Sequence, residues 1–245
     1  MKKLIFVLPI FVLLQLCLYA QVGIGTATPD ASAKVDIAST TQGFLPPRMT
    51  TTQRDAIAGP ATGLTIYNTT IKAFQVYNGT AWFSTVHFIG ESYGGGIVFY
   101  VYDNGQHGLI AATADQSTGI QWYNGIVRYT GTTGDGLNAG AMNTALIVAT
   151  QLADNQTGNF AAKVCADYSV TVGGTTYGDW YLPSKHELNL LYLQKTVVGG
   201  FNNMGYYWSS SEFASLFAWY QDFYDGYQGY NIKDYTFYVR AVRAF

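Results

Sequence analysis

The amino-acid sequence predicts an α+β fold with a mainly antiparallel sheet, and the order of its segments leads to that prediction. Residues 97–101 and 108–112 read as strands joined by an Asp-Asn-Gly turn. Segments with helical spacing follow from about residue 138. From Tyr206 onward the chain returns to strand-like sequence. Strands, then helices, then strands are typical of α+β folds with antiparallel pairing.

The amino terminus has the three parts of a secretory signal peptide. Lys2 and Lys3 precede an almost wholly apolar run over residues 4–18, and Ala20 is a small residue at the expected cleavage site. The run is too short for a good membrane span. We therefore expect residues 1–20 to be removed on export to the cell surface or the medium. A lipid anchor at Cys17 is the alternative, disfavoured because the preceding residue is not small.

The composition excludes some partners and favours an exported protein. Only 11% of the residues are charged, the formal net charge is -2, and no Lys/Arg run is present, so we expect no nucleic-acid partner. Cys165 is the one cysteine that remains after cleavage, which predicts no internal disulfide. Few charges with many Tyr, Thr, Asn and Gly residues are typical of a β-rich surface protein.

Residues 21–88 predict a small β-rich stalk or oligomerisation module. Pro46 and Pro47 keep the chain before them extended, and Thr50 is placed to cap a short helix. Strand-like segments, the last two joined by an Asn-Gly turn, follow at residues 64–67, 74–77 and 80–83. This module has too few apolar residues for a comfortable core of its own. It is therefore expected to hold the protein in an oligomer, as a homotrimer.

A resemblance in this module rests on three runs: GFLPPRMTTTQRDAI, ATGLTIYNTT and VYNGTAW. They resemble a module that is common in exported proteins of Bacteroidetes-type bacteria and in phage tail-fibre proteins. Such modules often sit in trimeric stalks. The resemblance implies a display stalk or adapter and no chemistry.

Residues 89–245 predict one larger domain with two to three helices. The first helix, capped by Asn138, has apolar residues at helical spacing: Met142, Leu146, Ala149 and Leu152. Residues 159–168 predict a second helix. Ser184 and Glu187 form a capping-box pattern that opens a third. The glycine run at residues 94–96 precedes a strand instead of following one, so it does not predict a phosphate-binding loop.

Several signatures after residue 94 together resemble one family. They are GGGIVFYV, GQHGLIAA, GDWYLPSKHEL, YYWSSSE and the terminal YVRAVRAF. These resemble the C-terminal domain of Lcl-type bacterial collagen-like adhesins, which has a C-type-lectin-like fold. The resemblance implies an exported binding domain in which the first and last strands pair and the segments before the last strand contact the ligand. Some relatives are adhesins that recognise sulfated polysaccharides.

The stretch over residues 213–237 has the composition of a binding surface. It is crowded with Tyr, Asp, Gly and Asn, as antibody-like paratopes are. Alternation along a strand would place two sets on opposite faces. The set expected to point inward is Trp219, Gln221 and Phe223. The set expected to be displayed on one contiguous face is Tyr220, Asp222, Tyr224, Tyr227, Tyr230, Asn231, Asp234 and Tyr235. A hairpin whose tyrosines simply pack on a neighbour is the alternative.

The same stretch resembles the variable region of target proteins of diversity-generating retroelements. The matching pattern is SSSE, AW, Q, F, G, Q, K and YVRAVRAF. Those systems mutate template adenines, mostly in AAC-type codons, so residues with codons ending in C accumulate. Four residues of the stretch cannot arise from such codons by this mutation: Trp219, Gln221, Gln228 and Lys233. The resemblance implies that the ligand contacts Phe213, Leu216, Phe217, Tyr220, Asp222, Tyr224, Asp225, Tyr227, Tyr230, Asn231, Ile232, Asp234, Tyr235 and Phe237.

No catalytic, metal or cofactor site is predicted. Asp222, Asp225 and Asp234 could offer oxygen ligands to calcium, but the Glu-Pro-Asn or Gln-Pro-Asp triplet of calcium-dependent lectins is absent. Formylglycine-generating enzymes share the broad fold and use reactive cysteines, whereas Cys165 lies in an apolar helical segment. The histidines lack metal-ligand spacing. Arg240 and the nearby Arg243 are expected to pair with carboxylates inside the fold.

These observations predict an exported, surface-displayed binding protein with a hypervariable ligand face, diversified by a retroelement. Its ligand is an unknown protein or polysaccharide. A fixed-specificity polysaccharide adhesin of the same fold is the first alternative. An enzyme is the second, although the sequence offers no nucleophile or carboxylate pair to support it.

Overall fold

The computed structural model describes residues 21–153 and 158–245. The predicted signal peptide, with Cys17, lies outside the described residues. Within the described ranges, no helix is both long and apolar enough to cross a bilayer. The chain divides into two compact units, Met1–Pro47 and Arg48–Phe245. The division therefore falls well before the predicted boundary at residue 88.

The first unit contains a two-stranded parallel sheet. Its strands are β1 (Val22–Ile24) and β2 (Val35–Ile37), with Val22 opposite Val35 and Ile24 opposite Ile37. The chain turns after β1 at Gly25, which has a φ of 77°. A Cβ there would lie 2.1 Å from the Ala38 carbonyl oxygen, so this turn needs glycine.

The second unit holds the remaining elements. In chain order, the strands are β3 (Arg48–Met49), β4 (Thr65–Asn68), β5 (Ala73–Tyr77), β6 (Trp82–Ser84), β7 (Ser92–Tyr93), β8 (Gly96–Tyr102), β9 (His107–Ala111), β10 (Ser117–Ile120), β11 (Val170–Val172), β12 (Thr175–Tyr177), β13 (Tyr206–Ala214), β14 (Phe217–Asp222), β15 (Gln228–Ile232), β16 (Phe237–Val239) and β17 (Val242–Ala244). The helices are α1 (Thr51–Asp55), α2 (Ala139–Leu152), α3 (Ala161–Ala166), α4 (Lys185–Leu193) and α5 (Lys195–Val198).

The strands form mostly antiparallel sheets, so the α+β prediction is confirmed. One sheet has the order β3-β4-β5-β6, a second β17-β9-β8-β7, and a third β10-β16-β13-β14-β15, while β11 and β12 form a hairpin. Parallel pairing occurs between β3 and β4 and between β13 and β16. The last strand, β17, returns to the first hairpin of the predicted domain, but it pairs with β9, whereas the resemblance implies pairing with the first strand of that domain.

The sheet of β3 to β6 has one buried, polar-lined face. The Asn68 amide donates to Gln75 Oε1 at 2.9 Å, and Arg54 Nη1 of α1 donates to the same oxygen at 2.7 Å. Thr50 caps α1 as predicted, in a capping box with Gln53. This sheet belongs to the second unit, and the chain after it bonds to the hairpin of β8 and β9. The His87 N–H donates to the Gly105 carbonyl, between those two strands, at 2.8 Å.

The central strands are buried on both faces, between two apolar clusters. Neighbouring residues alternate between the clusters: Val98 and Trp208 belong to the first, while Phe99 and Tyr207 belong to the second. The first cluster is covered by α2 and α3, and the second by α4. A strand that is covered on both sides gives its hydrophobic residues no single inward direction.

Helix α2 buries a different face from the predicted one. Met142, Leu146, Ala149 and Leu152 are exposed, so that prediction is wrong. The buried positions are partly polar because they bond distant loops: Asn143 Nδ2 donates to the Gly134 carbonyl at 2.8 Å, and Thr144 Oγ1 accepts from the Leu182 N–H at 3.0 Å. Asn138 makes no side-chain cap either, since it is left-handed, with a φ of 65°.

The capping box of α4 is present, and it extends beyond the helix. Ser184 Oγ accepts from the Glu187 N–H at 3.2 Å, and Glu187 Oε2 accepts from the Ser184 N–H at 2.8 Å. The other oxygen, Oε1, accepts from the Asn138 N–H at 2.8 Å and from the Tyr181 hydroxyl at 3.0 Å. Burial raises the pKa of the Glu187 carboxyl, and these hydrogen bonds oppose that shift. Glu187 is therefore a structural link between α4 and the start of α2.

Replacing Ser184 by alanine is expected to destabilise the second unit by about 1–2 kcal/mol, because the helix loses its cap. The hydroxyl also donates to the Gly136 carbonyl at 2.8 Å, which favours the upper end of that range. Urea denaturation of wild type and variant measures the difference. Ser215→Ala, at an exposed position, is the control and should change stability by less than about 0.5 kcal/mol. Equal stability of the two variants would contradict the assigned role.

Candidate ligand-binding surface

The candidate surface is built on β13, β14 and the edge strand β15. Trp219 of β14 faces Tyr230 of β15 in register, and Phe217 faces Ile232. These side chains share one face of the sheet, because cross-strand partners point to the same side. Tyr220, the neighbour of Trp219, points to the opposite face and pairs with Trp208 of β13. The predicted binding residues are thus divided between two faces.

The first face carries a partly exposed aromatic group, the Trp219 cluster, which comprises Phe213, Phe217, Trp219 and Tyr230. Phe213 stacks on Tyr230 with ring centroids 3.9 Å apart and an interplanar angle of 7°. Trp219 contacts both rings edge-on, at 5.5 and 5.6 Å. Lys185 Nζ of α4 lies 3.8 Å from the centroid of the Trp219 ring. This cation–π contact favours one position of the tryptophan.

The second face carries the Tyr220 cluster, which comprises Tyr206, Tyr220, Tyr235 and Phe237. Tyr220 meets Tyr206 at 5.3 Å and Phe237 at 5.1 Å, and Phe237 packs on Trp208 of the core at 4.4 Å. Burial, followed by the nearby charges of tyrosines and aspartates, raises the pKa of Tyr220. The cluster therefore continues from the core to the surface instead of standing free of the fold.

The turn between β14 and β15 displays the most exposed tyrosine of the stretch. Tyr224 is 70% exposed. Asp222 Oδ1 accepts from the Tyr224 N–H at 2.7 Å, and Asp225 Oδ1 accepts from the Tyr227 N–H at 2.9 Å. These two carboxylates shape the turn through local hydrogen bonds. Among the residues that the structure describes, no group of three or more His, Cys, Asp or Glu side chains is arranged to hold a metal ion.

Two glutamines join the hairpin to α4. Gln221 Nε2 donates to Asn189 Oδ1 at 2.9 Å and to the Gly226 carbonyl at 3.1 Å. Gln228 Nε2 donates to the Lys185 carbonyl at 2.8 Å and to Gln221 Oε1 at 3.1 Å. Gln221 is fully buried, so its amide group has lost its hydrogen bonds to water. Its bonds to Asn189, Gly226 and Gln228 replace them.

Lys233 anchors the other end of the hairpin through a buried ion pair with Glu212. Its ammonium also donates to the Arg128 carbonyl at 3.0 Å and lies 4.4 Å from the centroid of the Trp122 ring. The Glu212 carboxylate accepts further bonds from the N–H groups of Thr130 and Gly131, at 2.9 Å each. Burial lowers the pKa of Lys233, and the hydrogen bond and charge of Glu212 oppose that shift.

The structure corrects the predicted division into inward and displayed residues. Gln221 and Phe223 are buried as predicted. Trp219 is half-buried on the face of Tyr230, so its predicted place beneath the displayed tyrosines is wrong. The predicted single contiguous face is also wrong, because Tyr220 and Tyr230 lie on opposite sides of the sheet. The reason is that other elements cover part of each face: Tyr220 packs against the apolar cluster beneath α2 and α3, while Lys185 of α4 lies over Trp219.

The predicted ligand-binding residues also differ in exposure. Phe237 is only 7% exposed and belongs to the core, which disagrees with its predicted place among the ligand contacts. Half-buried positions are Phe217, Tyr220, Asp222 and Asn231. Exposed positions are Phe213, Leu216, Tyr224, Asp225, Tyr227, Tyr230, Ile232, Asp234 and Tyr235.

Two residues of the site are not indicated by the sequence. Lys185 follows the α4 cap, and Glu212 ends the SSSE run; neither position indicates by itself that it meets Trp219 or Lys233.

The terminal arginines pair with carboxylates as predicted: Arg240 Nε bonds Asp115 at 2.7 Å, and Arg243 Nε bonds Asp179 at 2.7 Å. Cys165 is buried, which raises the pKa of its thiol. The absence of enzyme activity remains a prediction.

Comparison with protein-family models identifies both regions of the chain. Residues 23–138 match the phage tail like trimerisation region, which is consistent with the predicted homotrimer. No curated protein matches the chain.

The second match spans residues 111–243 and includes every strand of the candidate surface. The matching family is the Lcl C-terminal domain, as the sequence signatures indicated. Because this match covers more than half of the 245 residues, the chain belongs to the Lcl C-terminal domain family.

Proposed function

We propose that this chain is an exported, surface-displayed binding protein. In this proposal, a C-type-lectin-like domain presents a hypervariable ligand surface that a retroelement diversifies, and a trimeric stalk carries that domain. The observation that carries the proposal is the separation, along one hairpin, between buried anchoring residues and exposed aromatic residues.

The anchors are the residues that retroelement diversification would leave unchanged. Gln221 and Lys233 are almost fully buried, and each bonds to elements outside the hairpin. Gln228 bonds to α4, and Trp219 is covered by Lys185. Substitution of Gln228 or Lys233 would leave a buried partner, Gln221 or Glu212, without its bond, which costs stability.

Most of the predicted variable positions are exposed, and exposed substitutions change stability by less than about 0.5 kcal/mol. Phe237 is an exception because it is buried, and Phe217, Tyr220, Asp222 and Asn231 are half-buried. Gly229, which is buried in the same stretch, adds a further constraint. A Cβ at Gly229 would lie 2.8 Å from the Tyr227 ring and 2.9 Å from the Tyr220 hydroxyl. Variation at Gly229 would therefore require those two tyrosines to move or to change with it.

The exposed aromatic residues supply the binding chemistry of the proposal. Tyr and Trp dominate protein interfaces because they offer large, rigid and amphipathic contact areas. Phe213 and Tyr230, the exposed members of the Trp219 cluster, have this character, and Leu216 and Ile232 are exposed on the same hairpins. A ligand on this surface would meet aromatic and aliphatic groups with Lys185 beside them. Three copies on one stalk would raise the apparent affinity by avidity.

Sequencing the DNA beside the gene tests the proposal. We expect a reverse-transcriptase gene and a near-identical template repeat with AAC-type codons at the exposed positions, such as Tyr224 and Tyr230. Differences between template and gene should avoid the codons of Trp219, Gln221 and Lys233. Absence of both the gene and the repeat would contradict diversification.

A fixed-specificity polysaccharide adhesin is the second candidate, and membership of the Lcl C-terminal domain family favours it. Such a protein would use the same surface but would have no template repeat. The same sequencing therefore separates the two candidates.

A further inference from the structure

The first unit exposes an aliphatic strip, which comprises Val22 and Ile24 of β1 with Val35 and Ile37 of β2. The two strands pair in parallel and in register, Val22 with Val35 and Ile24 with Ile37. Paired residues and their second neighbours point to the same side of a sheet. All four side chains therefore share one face, and each is more than 40% exposed.

The opposite face of the same two strands is covered by the chain itself. A Cβ at Gly23 would lie 2.5 Å from the Thr26 carbonyl oxygen and 2.9 Å from Pro29 Cγ. Asp36 Oδ2 accepts from the Asp30 N–H at 2.9 Å. The loop between the strands thus packs on one side only. The strip is left as an apolar face on a pair of strands too short to be stable in water alone.

We propose that the strip is the contact through which three copies of this chain pack around the axis of the trimer, and this inference rests on the trimer of the proposed function. Another copy is the occupant because the match to the phage tail like trimerisation region begins at residue 23 and includes Ile24, Val35 and Ile37. The strip also contains no charged residue. Lys34 and Asp36, the neighbours of Val35, alternate to the other side, so identical faces meet without repulsion between like charges.

A second exposed apolar face lies within the same match and is the competing contact. On the sheet of β4 to β6, Phe74 and Phe83 are exposed. This face belongs to a sheet that is already covered on its other side by α1 and a bonded polar group. The two strands of the strip are covered on their other side only by the loop that joins them, so their stability depends more on a partner chain.

The test is the oligomeric state of the purified, exported protein at micromolar concentration. Light scattering should give three times the chain mass for the wild type. The double substitution Val35→Lys and Ile37→Lys should abolish the trimer, because lysines would face one another at the axis. Val172→Lys is the matched control: Val172 is 55% exposed, against 56% for Val35, and should leave the trimer intact.

The outcomes distinguish an error in the assigned contact surface from an error in the proposed trimer. A wild type that is monomeric would overturn the trimer and the inference together. A double variant that remains trimeric would overturn the inference alone and would direct attention to the face of Phe74 and Phe83.

Cysteine cross-linking tests the inference without relying on a disruptive change. Ile24→Cys should yield a covalent dimer under mild oxidation, because the strips of neighbouring copies adjoin. Asp36→Cys, on the covered face, should remain monomeric on the same non-reducing gel. Cys165 is buried and will not compete. Equal cross-linking of the two variants would contradict the assignment.

Discussion

Replacing Lys233 by alanine is expected to destabilise the second unit by about 3–5 kcal/mol, because a buried Glu212 would lose its ion-pair partner. The side chains of Lys233 and Glu212 are 2% and 0% exposed, so water cannot take the place of the ammonium. The hairpin would also lose the bond from Lys233 Nζ to the Arg128 carbonyl. Urea denaturation of the purified protein measures the loss.

Two further variants show whether the pair itself is responsible. Lys34→Ala, at an exposed position, should change stability by less than about 0.5 kcal/mol. Lys233→Met combined with Glu212→Gln should recover part of the loss, because the amide oxygen can still accept from Thr130 while no buried charge remains. A loss below about 1 kcal/mol for Lys233→Ala would contradict the anchoring role.

Replacing Phe223 by alanine is expected to cost about 3–5 kcal/mol, while the same change at its neighbour Tyr224 should cost less than about 0.5 kcal/mol. Phe223 is fully buried and packs against Tyr207, with ring centroids 4.2 Å apart. Tyr224 projects from the turn into solvent. Both variants remove an aromatic ring from adjacent positions, so each serves as the control for the other in thermal melting.

The comparison tests the separation of anchoring and displayed residues on which the proposed function rests. Equal losses at Phe223 and Tyr224 would mean that the turn packs against the fold, and the proposal of a tolerant surface would then fail. Trp219→Ala should fall between the two, because the indole is only half-buried beneath Lys185.

Much of the local structure follows from short patterns in the sequence. The capping boxes at Thr50 and Ser184 and the hairpin turns depend on residues within a few positions of each other. The α+β class follows from the order of the segments. The resemblance to retroelement-diversified proteins also singles out Gln221 and Lys233 as unchanged positions, and both residues are buried.

The tertiary structure alone decided which side chains are exposed. Alternation along β14 separates Trp219 from Tyr220, but both faces of this sheet meet other elements, so alternation could not say which face is covered. Tyr220 packs against the apolar cluster that α2 and α3 cover, and Lys185 reaches Trp219 from α4. Helix α2 follows the same rule: its polar residues are buried because distant loops supply their hydrogen bonds, and its apolar residues are left exposed. Local patterns specify the elements, whereas burial depends on contacts between residues far apart in the chain.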